Sequence, residues 1–271
     1  MSRDGILWAG APDVAALDAR FSRSARAGWI SAAFSVPVGV LATLFHRTGV
    51  IDSAAFTISV ASAFLFAFIG LLFAGFALLR IWRVGGRGVA RAVSAAVLAA
   101  LVMSPGAYAV YLGTSRPLLN DVTTDPVLVP QFVVLEATRQ SIGASTGYDV
   151  EGTWPKQTEG YPQIVPLRLE LDFETARTII DEAIEAEGWQ VLQKRLRPDE
   201  PRQITIEATA TTFIAGFKDD VLVRLSEGAD FVRVDMRSAS RFGEHDLGAN
   251  ARRIQLFFEK LQASARARTR V

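Results

Sequence analysis

The sequence predicts a chain of two parts: three N-terminal transmembrane α-helices, then a C-terminal α+β domain. In that domain an antiparallel sheet of about four to five strands carries two helices packed on one face. Three observations predict this. Apolar residues crowd into three uncharged runs before Gly113. From Val165 the pattern changes to alternating strands and amphipathic helices. Two helical stripes flank four successive strand-like segments separated by turn residues.

Composition supports the division. Half of the 271 residues are hydrophobic and mean hydropathy is +0.24, which is high for a chain with 21% charged residues. Lys plus Arg is 29 against 28 for Asp plus Glu, so the global charge offers no electrostatic footprint for nucleic acid and no such partner is expected. Cysteine is absent, which excludes disulfides, thiolate metal ligands and a cysteine nucleophile. The two histidines are His46 and His245, and Glu244-His245-Asp246 lacks the i, i+4 spacing of a helical metal site. No metal and no cofactor is expected.

Residues 1–26 read as a cytoplasmic arm. Pro12 suits a first helical position, and Val14, Leu17 and Phe21 form a weak apolar side. An apolar core beginning only near Ala27 does not match a cleaved secretory signal. Residues 27–112 form the membrane region. The runs Ala27–Phe45, Thr57–Leu79 and Ala92–Leu112 each reach the roughly twenty residues a helix needs to cross a bilayer. Pro105-Gly106 predicts a kink in the third, and Ala92, Ala96 and Ala100 predict a face for close helix approach. Arg20, Arg23 and Arg26 precede the first run, and Arg80, Arg83, Arg87 and Arg91 separate the second from the third. That bias places the N-terminus in the cytoplasm and the C-terminal domain outside it.

Residues 113–165 are rich in Pro, Gly, Thr and Ser and read as an extended linker with the irregular part of the outer domain. Asn120 to Pro126 has turn chemistry. Val127–Leu135, bracketed by prolines, is expected to pack as an extended segment, and Gly143–Gly160 reads as a surface loop. The α+β core spans residues 166–262. Leu167, Leu169 and Leu171 alternate with Arg168, Glu170 and Asp172 as a short strand. Phe173, Ala176, Ile180, Ala183 and Ile184 give the next helix its inner stripe, with Asp172 as its cap and Gly188 as its left-handed terminator. Strands follow at Trp189–Leu196, Gln203–Phe213, Asp220–Ser226 and Phe231–Arg237. On the face away from the helices Arg224, Arg233, Asp235 and Arg237 predict a solvated ladder of charges, the alternative being a polar binding surface for an anion attracted by Arg233, Arg237 and Arg241. Residues 263–271 read as a flexible basic tail.

The junction between the last strand and the last helix has the densest set of polar groups: Asp235, Arg237, Ser238, Ser240, Arg241, Asp246, Asn250 and Arg253. Ser238 to His245 reads as a turn and Asp246 as the cap of a helix with Leu247, Ala251, Ile254, Phe258 and Leu261 inside. Asn250 points to the core edge and needs partners there. The whole set is expected to act as a polar clasp that docks helix onto strand.

The residues Glu207-Ala208-Thr209, Phe217-Lys218-Asp219-Asp220-Val221, Val234 through Arg241 and Asp246 through Ile254, together with Leu119 through Asp125, resemble the domain of unknown function 1499 family over about Leu118 to Leu261. The resemblance implies a bacterial envelope protein with the three spans as an N-terminal addition. It implies no activity.

Three functional readings follow. The preferred one is an inner-membrane protein whose periplasmic domain is a non-enzymatic binding or scaffold module, with membrane lipid and an envelope protein or polymer as partners. A hydrolase would use Ser240 or Ser238 with His245 and Asp246, and needs His245 within hydrogen-bonding reach of a hydroxyl. A small-ligand or lipid-binding domain needs a roomy apolar cavity between helices and sheet.

Overall fold

The computed structural model describes residues 21–197 and 200–269, so the arm before Phe21 lies outside the described residues. Two compact units emerge. One includes the chain up to Phe45 together with Ala54–Ala107, and the other consists of His46–Ser53 with Tyr108 onward.

The first unit is built on three helices, α1 (Arg23–Arg47), α2 (Ser53–Val84) and α3 (Val89–Ser115), whose last residues belong to the second unit. All three are long and apolar enough to cross a membrane. Pro37 and Pro105 lie inside α1 and α3, and neither ends its helix. The inner faces are lined by small residues. A Cβ on Gly28 would stand 2.9 Å from the Gly70 carbonyl oxygen, and one on Gly70 would stand 2.9 Å from the Ala32 nitrogen. Glycine at both positions therefore lets α1 and α2 touch backbone to backbone. The Ser31 hydroxyl also donates across to the Phe66 carbonyl at 2.7 Å. On α3 the buried alanines are Ala92, Ala95 and Ala99, not the expected Ala96 and Ala100. A stripe at strict four-residue spacing drifts around a helix of 3.6 residues per turn, and the three-then-four spacing stays on one face. Leu65, Phe68, Leu72 and Phe76 point outward, as lipid-facing side chains do.

The second unit is the α+β domain. Its sheet has six strands: β1 (Asp121–Thr123), β2 (Leu167–Leu169), β3 (Gln190–Arg197), β4 (Glu200–Thr211), β5 (Lys218–Glu227) and β6 (Val232–Ser240). All pairings are antiparallel, in the order β1-β6-β5-β4-β3. The short strand β2 shares one edge of β6 with β1: Leu167–Leu169 pair with Val232–Val234, and Asp121–Thr123 with Arg237–Ala239. Its helices are α4 (Val134–Ser141), α5 (Val150–Gly160), α6 (Phe173–Ala186) and α7 (Ala249–Thr269).

Alternation along the strands explains the layers. Ile204, Ile206, Val221, Val223, Leu225, Val232, Val234 and Met236 share one face and form a single core with Ile179, Ile180 and Ile184 of α6 and Ala251, Ile254, Phe257 and Leu261 of α7. The Asp172 carboxylate caps α6 by accepting from the Thr175 N–H at 2.9 Å, and Gly188 stops it at a φ of 65°. Trp189 then stacks on Phe257 with centroids 4.9 Å apart. Burying eight such aliphatic strand side chains supplies on the order of 12–24 kcal/mol of gross hydrophobic stabilisation, before conformational entropy is set against it.

The opposite face is not solvated. The stretch from Asp121 to Gly160 folds over it, and Phe132 and Leu135 form a second small core with Leu222 and Ala239. Gly143–Gly160 is not a loop throughout: it contains α5, capped by Asp149, whose side chain accepts from the Gly152 N–H at 3.0 Å. The segment after Pro130 turns into α4 at Val134 instead of remaining extended. Strand β6 runs on through Ser240, past the expected end at Arg237, because Asp219–Val221 of β5 supply its partners as far as Ser240. The expected tail is helical to Thr269 and Arg268 reaches Glu182 of α6 at 2.7 Å, while residues 270–271 lie outside the described residues.

Candidate functional site

The eight polar residues of the junction do not form one cluster. Strand parity splits them across the two faces of the sheet. Ser238 and Ser240 share the parity of Val234 and Met236 and face α7. Asp235 and Arg237 face the α4–α5 layer.

On the α7 side the centre is Asn250, fully buried at the start of the helix. Its Oδ1 accepts from the Ser238 hydroxyl at 2.8 Å and from Arg253 at 2.7 Å. Its Nδ2 donates to Ser240 Oγ at 3.0 Å and to the Asn120 carbonyl at 3.1 Å. Arg253 also donates to Ser238 Oγ at 2.7 Å and pairs with Asp219. Asp246 precedes the helix and caps it. Its two oxygens accept from the Gly248 and Asn250 N–H groups at 2.8 Å each. The helix itself begins at Ala249, two residues later than the expected cap position implies, because Leu247 and Gly248 both take positive φ, 56° and 83°. Burial raises the Asp246 pKa, and the Asn250 and Gly248 N–H groups pull it back.

His245 does not reach either serine. Its Nδ1 accepts from the Leu247 N–H at 3.1 Å, so Nε2 carries the proton and donates to the Gly113 carbonyl at 3.3 Å. Ser238 donates to Asn250 and accepts from Arg253, and Ser240 Oγ accepts from Asn250. A general base oriented toward a hydroxyl, the minimum for the hydrolase arrangement, is not assembled here.

The opposite layer holds more charge. Arg237, fully buried, makes a two-pronged contact with Asp121 at 2.7 and 3.1 Å and donates to the Pro130 and Thr146 carbonyls at 3.2 Å each. Its guanidinium lies over Phe132 at 4.8 Å. Arg139 of α4 also lies over that ring at 5.2 Å, pairs with Asp220 at 2.9 Å and donates to the Ala239 carbonyl at 3.2 Å. Arg241 adds a second contact to Asp220 at 2.8 Å and reaches Thr209. Asp125 and Asp235 form a square with Arg224 and Arg233, the four contacts between 2.8 and 3.0 Å. Glu207, 3% exposed, projects from β4 to the N-terminus of α4. There it accepts from the Val133, Val134 and Leu135 N–H groups at 2.9 to 3.1 Å. A carboxylate from across the sheet thus caps a helix that has no side-chain cap of its own. Gln157 of α5 holds β1 through both its amide atoms, and Tyr148 donates to it at 3.0 Å. Burial raises the Tyr148 pKa far above its usual value and keeps it a donor.

Asn120, Asp121, Asp125, Arg139, Gln157, Asp219 and Asp220 complete these networks and were not among the expected site residues. Two signals pointed to the acidic members and Asn120, and none to Arg139 or Gln157. Asp219-Asp220 and Asn120-Asp121 lie within the stretches that resemble the family, and Asp121 and Asp125 stand two residues either side of Thr123.

A cleft of about 240 Å³ between Ile164, Leu167 and Phe258 lies along α7, away from the junction. It is below the usual range of about 300–1,000 Å³ for small-molecule sites. The described residues contain no group of three His, Asp or Glu placed to hold a metal.

Residues 121–261 match the family described as "Protein of unknown function (DUF1499)", just over half of the 271 positions. No curated protein matches the chain.

Proposed function

The chain belongs to the DUF1499 family, and from that premise we propose a multi-pass inner-membrane protein whose α+β domain faces the periplasm as a non-enzymatic binding or scaffold module. One observation carries the reading: the junction's ions and hydroxyls are committed to one another, so the domain is rigid where an enzyme would keep a nucleophile and base free. The arginine bias of the helix connections supports the orientation. Binding then belongs to the exposed surface. Val127 and Leu128 on the covering layer, and Phe213 and Ile214 at the tip of the β4–β5 hairpin, leave large apolar side chains in solvent; Phe213 is 91% exposed. Paired apolar residues of this kind are what interaction surfaces present.

The cysteine-free sequence makes the test direct. In intact spheroplasts an impermeant maleimide should label Ser141→Cys and should reach Val84→Cys only after lysis; the reverse pattern overturns the orientation. A photo-crosslinking residue at Val127 or Phe213, at native expression, should give discrete adducts to an envelope protein or polymer. Adducts at neither position would overturn the binding reading.

A further inference from the structure

The six arginines in the described part of the helical unit, Arg23, Arg26, Arg80, Arg83, Arg87 and Arg91, have no counter-ion among the described residues of that unit. Residues 21–45 and 54–107 contain no Asp or Glu. Their distribution is not even. Arg23 and Arg26 of α1 and Arg91 of α3 line one open groove of about 1220 Å³, whose walls include Trp29, Ile30 and Ser94.

The groove is amphiphilic along its depth. On α1 Arg26 is followed by Trp29 and Ile30, three and four residues on, and on α3 Arg91 is followed by Ser94. Each step is about one turn, roughly 5 Å further along the helix. Cations therefore stand at the helix ends and apolar surface begins one turn inward. Helices α1 and α3 also both start at this groove, so the partial positive charges of two N-termini add to the three guanidiniums. The Arg91 guanidinium leans on the Phe21 ring at 5.9 Å and leaves its remaining edges for an acceptor.

We propose that this groove is a binding site for an anionic glycerophospholipid, the phosphodiester held by Arg23, Arg26 and Arg91 and the first acyl carbons lying on Trp29 and Ile30. The site rests on the three helices spanning a bilayer; it deepens the proposal above by naming the lipid class and its residues. A phosphate group suits the planar donors of arginine, and basic pockets between helices at the cytoplasmic face are a known means of holding anionic headgroups.

The test uses the full chain in detergent, offered equimolar dioleoyl phosphatidylglycerol and dioleoyl phosphatidylcholine, with bound lipid read by native mass spectrometry. Phosphatidylglycerol should be retained over phosphatidylcholine. Arg23→Gln with Arg91→Gln should weaken that retention about thirtyfold, as two lost phosphate contacts predict. Arg80→Gln with Arg83→Gln removes the same charge away from the groove and should change it little. Arg26→Lys should retain most of the binding. Equal loss in both double variants would reduce the effect to diffuse attraction, and equal retention of both lipids would reduce it to annular contact; either overturns the site. Displacement by millimolar inorganic phosphate alone would overturn the lipid as ligand. Release of the protein from membranes by alkaline carbonate would instead overturn the spanning helices, so the two failures remain distinct.

Discussion

Arginine has opposite roles in the two units of this chain. In the α+β domain Arg139, Arg224, Arg237, Arg241 and Arg253 each end on a carboxylate, and Arg139 and Arg237 are fully enclosed. In the helical unit no carboxylate exists among the described residues to meet them. Charge inside a protein must be matched from inside, and charge at a membrane surface is matched by lipid. The difference teaches that the same residue type is architecture in one unit and, on the proposal above, an external contact in the other.

The comparison breaks first at Arg237. Replacing it by alanine leaves the Asp121 carboxylate buried and unmatched, and should lower stability by about 3–5 kcal/mol in denaturant unfolding of the full chain. A loss under 1 kcal/mol would mean the domain does not depend on that pair. Glu207→Gln is the next largest. One amide oxygen cannot accept from three N–H groups, so we expect a loss of about 1–3 kcal/mol together with faster hydrogen exchange at Val133, Val134 and Leu135. Exchange unchanged at those amides would contradict the cap.

Asp246 sharpens the comparison through pH. Its folded pKa is raised, so the folded state holds its proton where the unfolded state has lost it. Its contribution therefore falls as pH climbs from the ordinary carboxylate value through the raised one. Asp172 runs the other way: its lowered pKa gives a contribution present above the unfolded value and lost as pH drops through the folded one. Carboxylate titrations followed by NMR should place the two on opposite sides of the usual range. Tyr161→Phe is smaller. Its hydroxyl is buried without a hydrogen-bond partner, so its removal should change stability by no more than about 0.5 kcal/mol, or raise it. Smallest of all, Arg26→Gln in the helical unit should leave the thermal midpoint of the full chain in detergent unchanged.

Much of this architecture was legible in the sequence. The three uncharged runs, the aliphatic stripe of α6 and the β3–β6 meander all follow from local periodicity. The covering layer did not. Arg233, Asp235 and Arg237 alternate with valine and methionine in the same way whether water or protein covers them, and their partners Asp121 and Asp125 are separated from them by more than a hundred residues. Helix α5 was hidden by Pro155 and two glycines, although Asp149 three residues before Gly152 was a capping signal. For the site, residue identity was readable and grouping was not. Parity along β6 sends Ser238 and Asp235 to opposite faces, and only the extension of that strand to Ser240 makes the division evident.

The pairing of Asp121 and Asp125 with Arg237 and Arg233 has a consequence for synthesis. Asp121 and Asp125 leave the ribosome well before Arg233 and Arg237, so β1 cannot settle until β6 has emerged. A nascent chain halted before Phe231 would hold Asp121 without Arg237 and β1 without the strand it pairs with. Completion of this domain is therefore a late, nearly all-at-once event, and C-terminal truncations should yield no stable fragment.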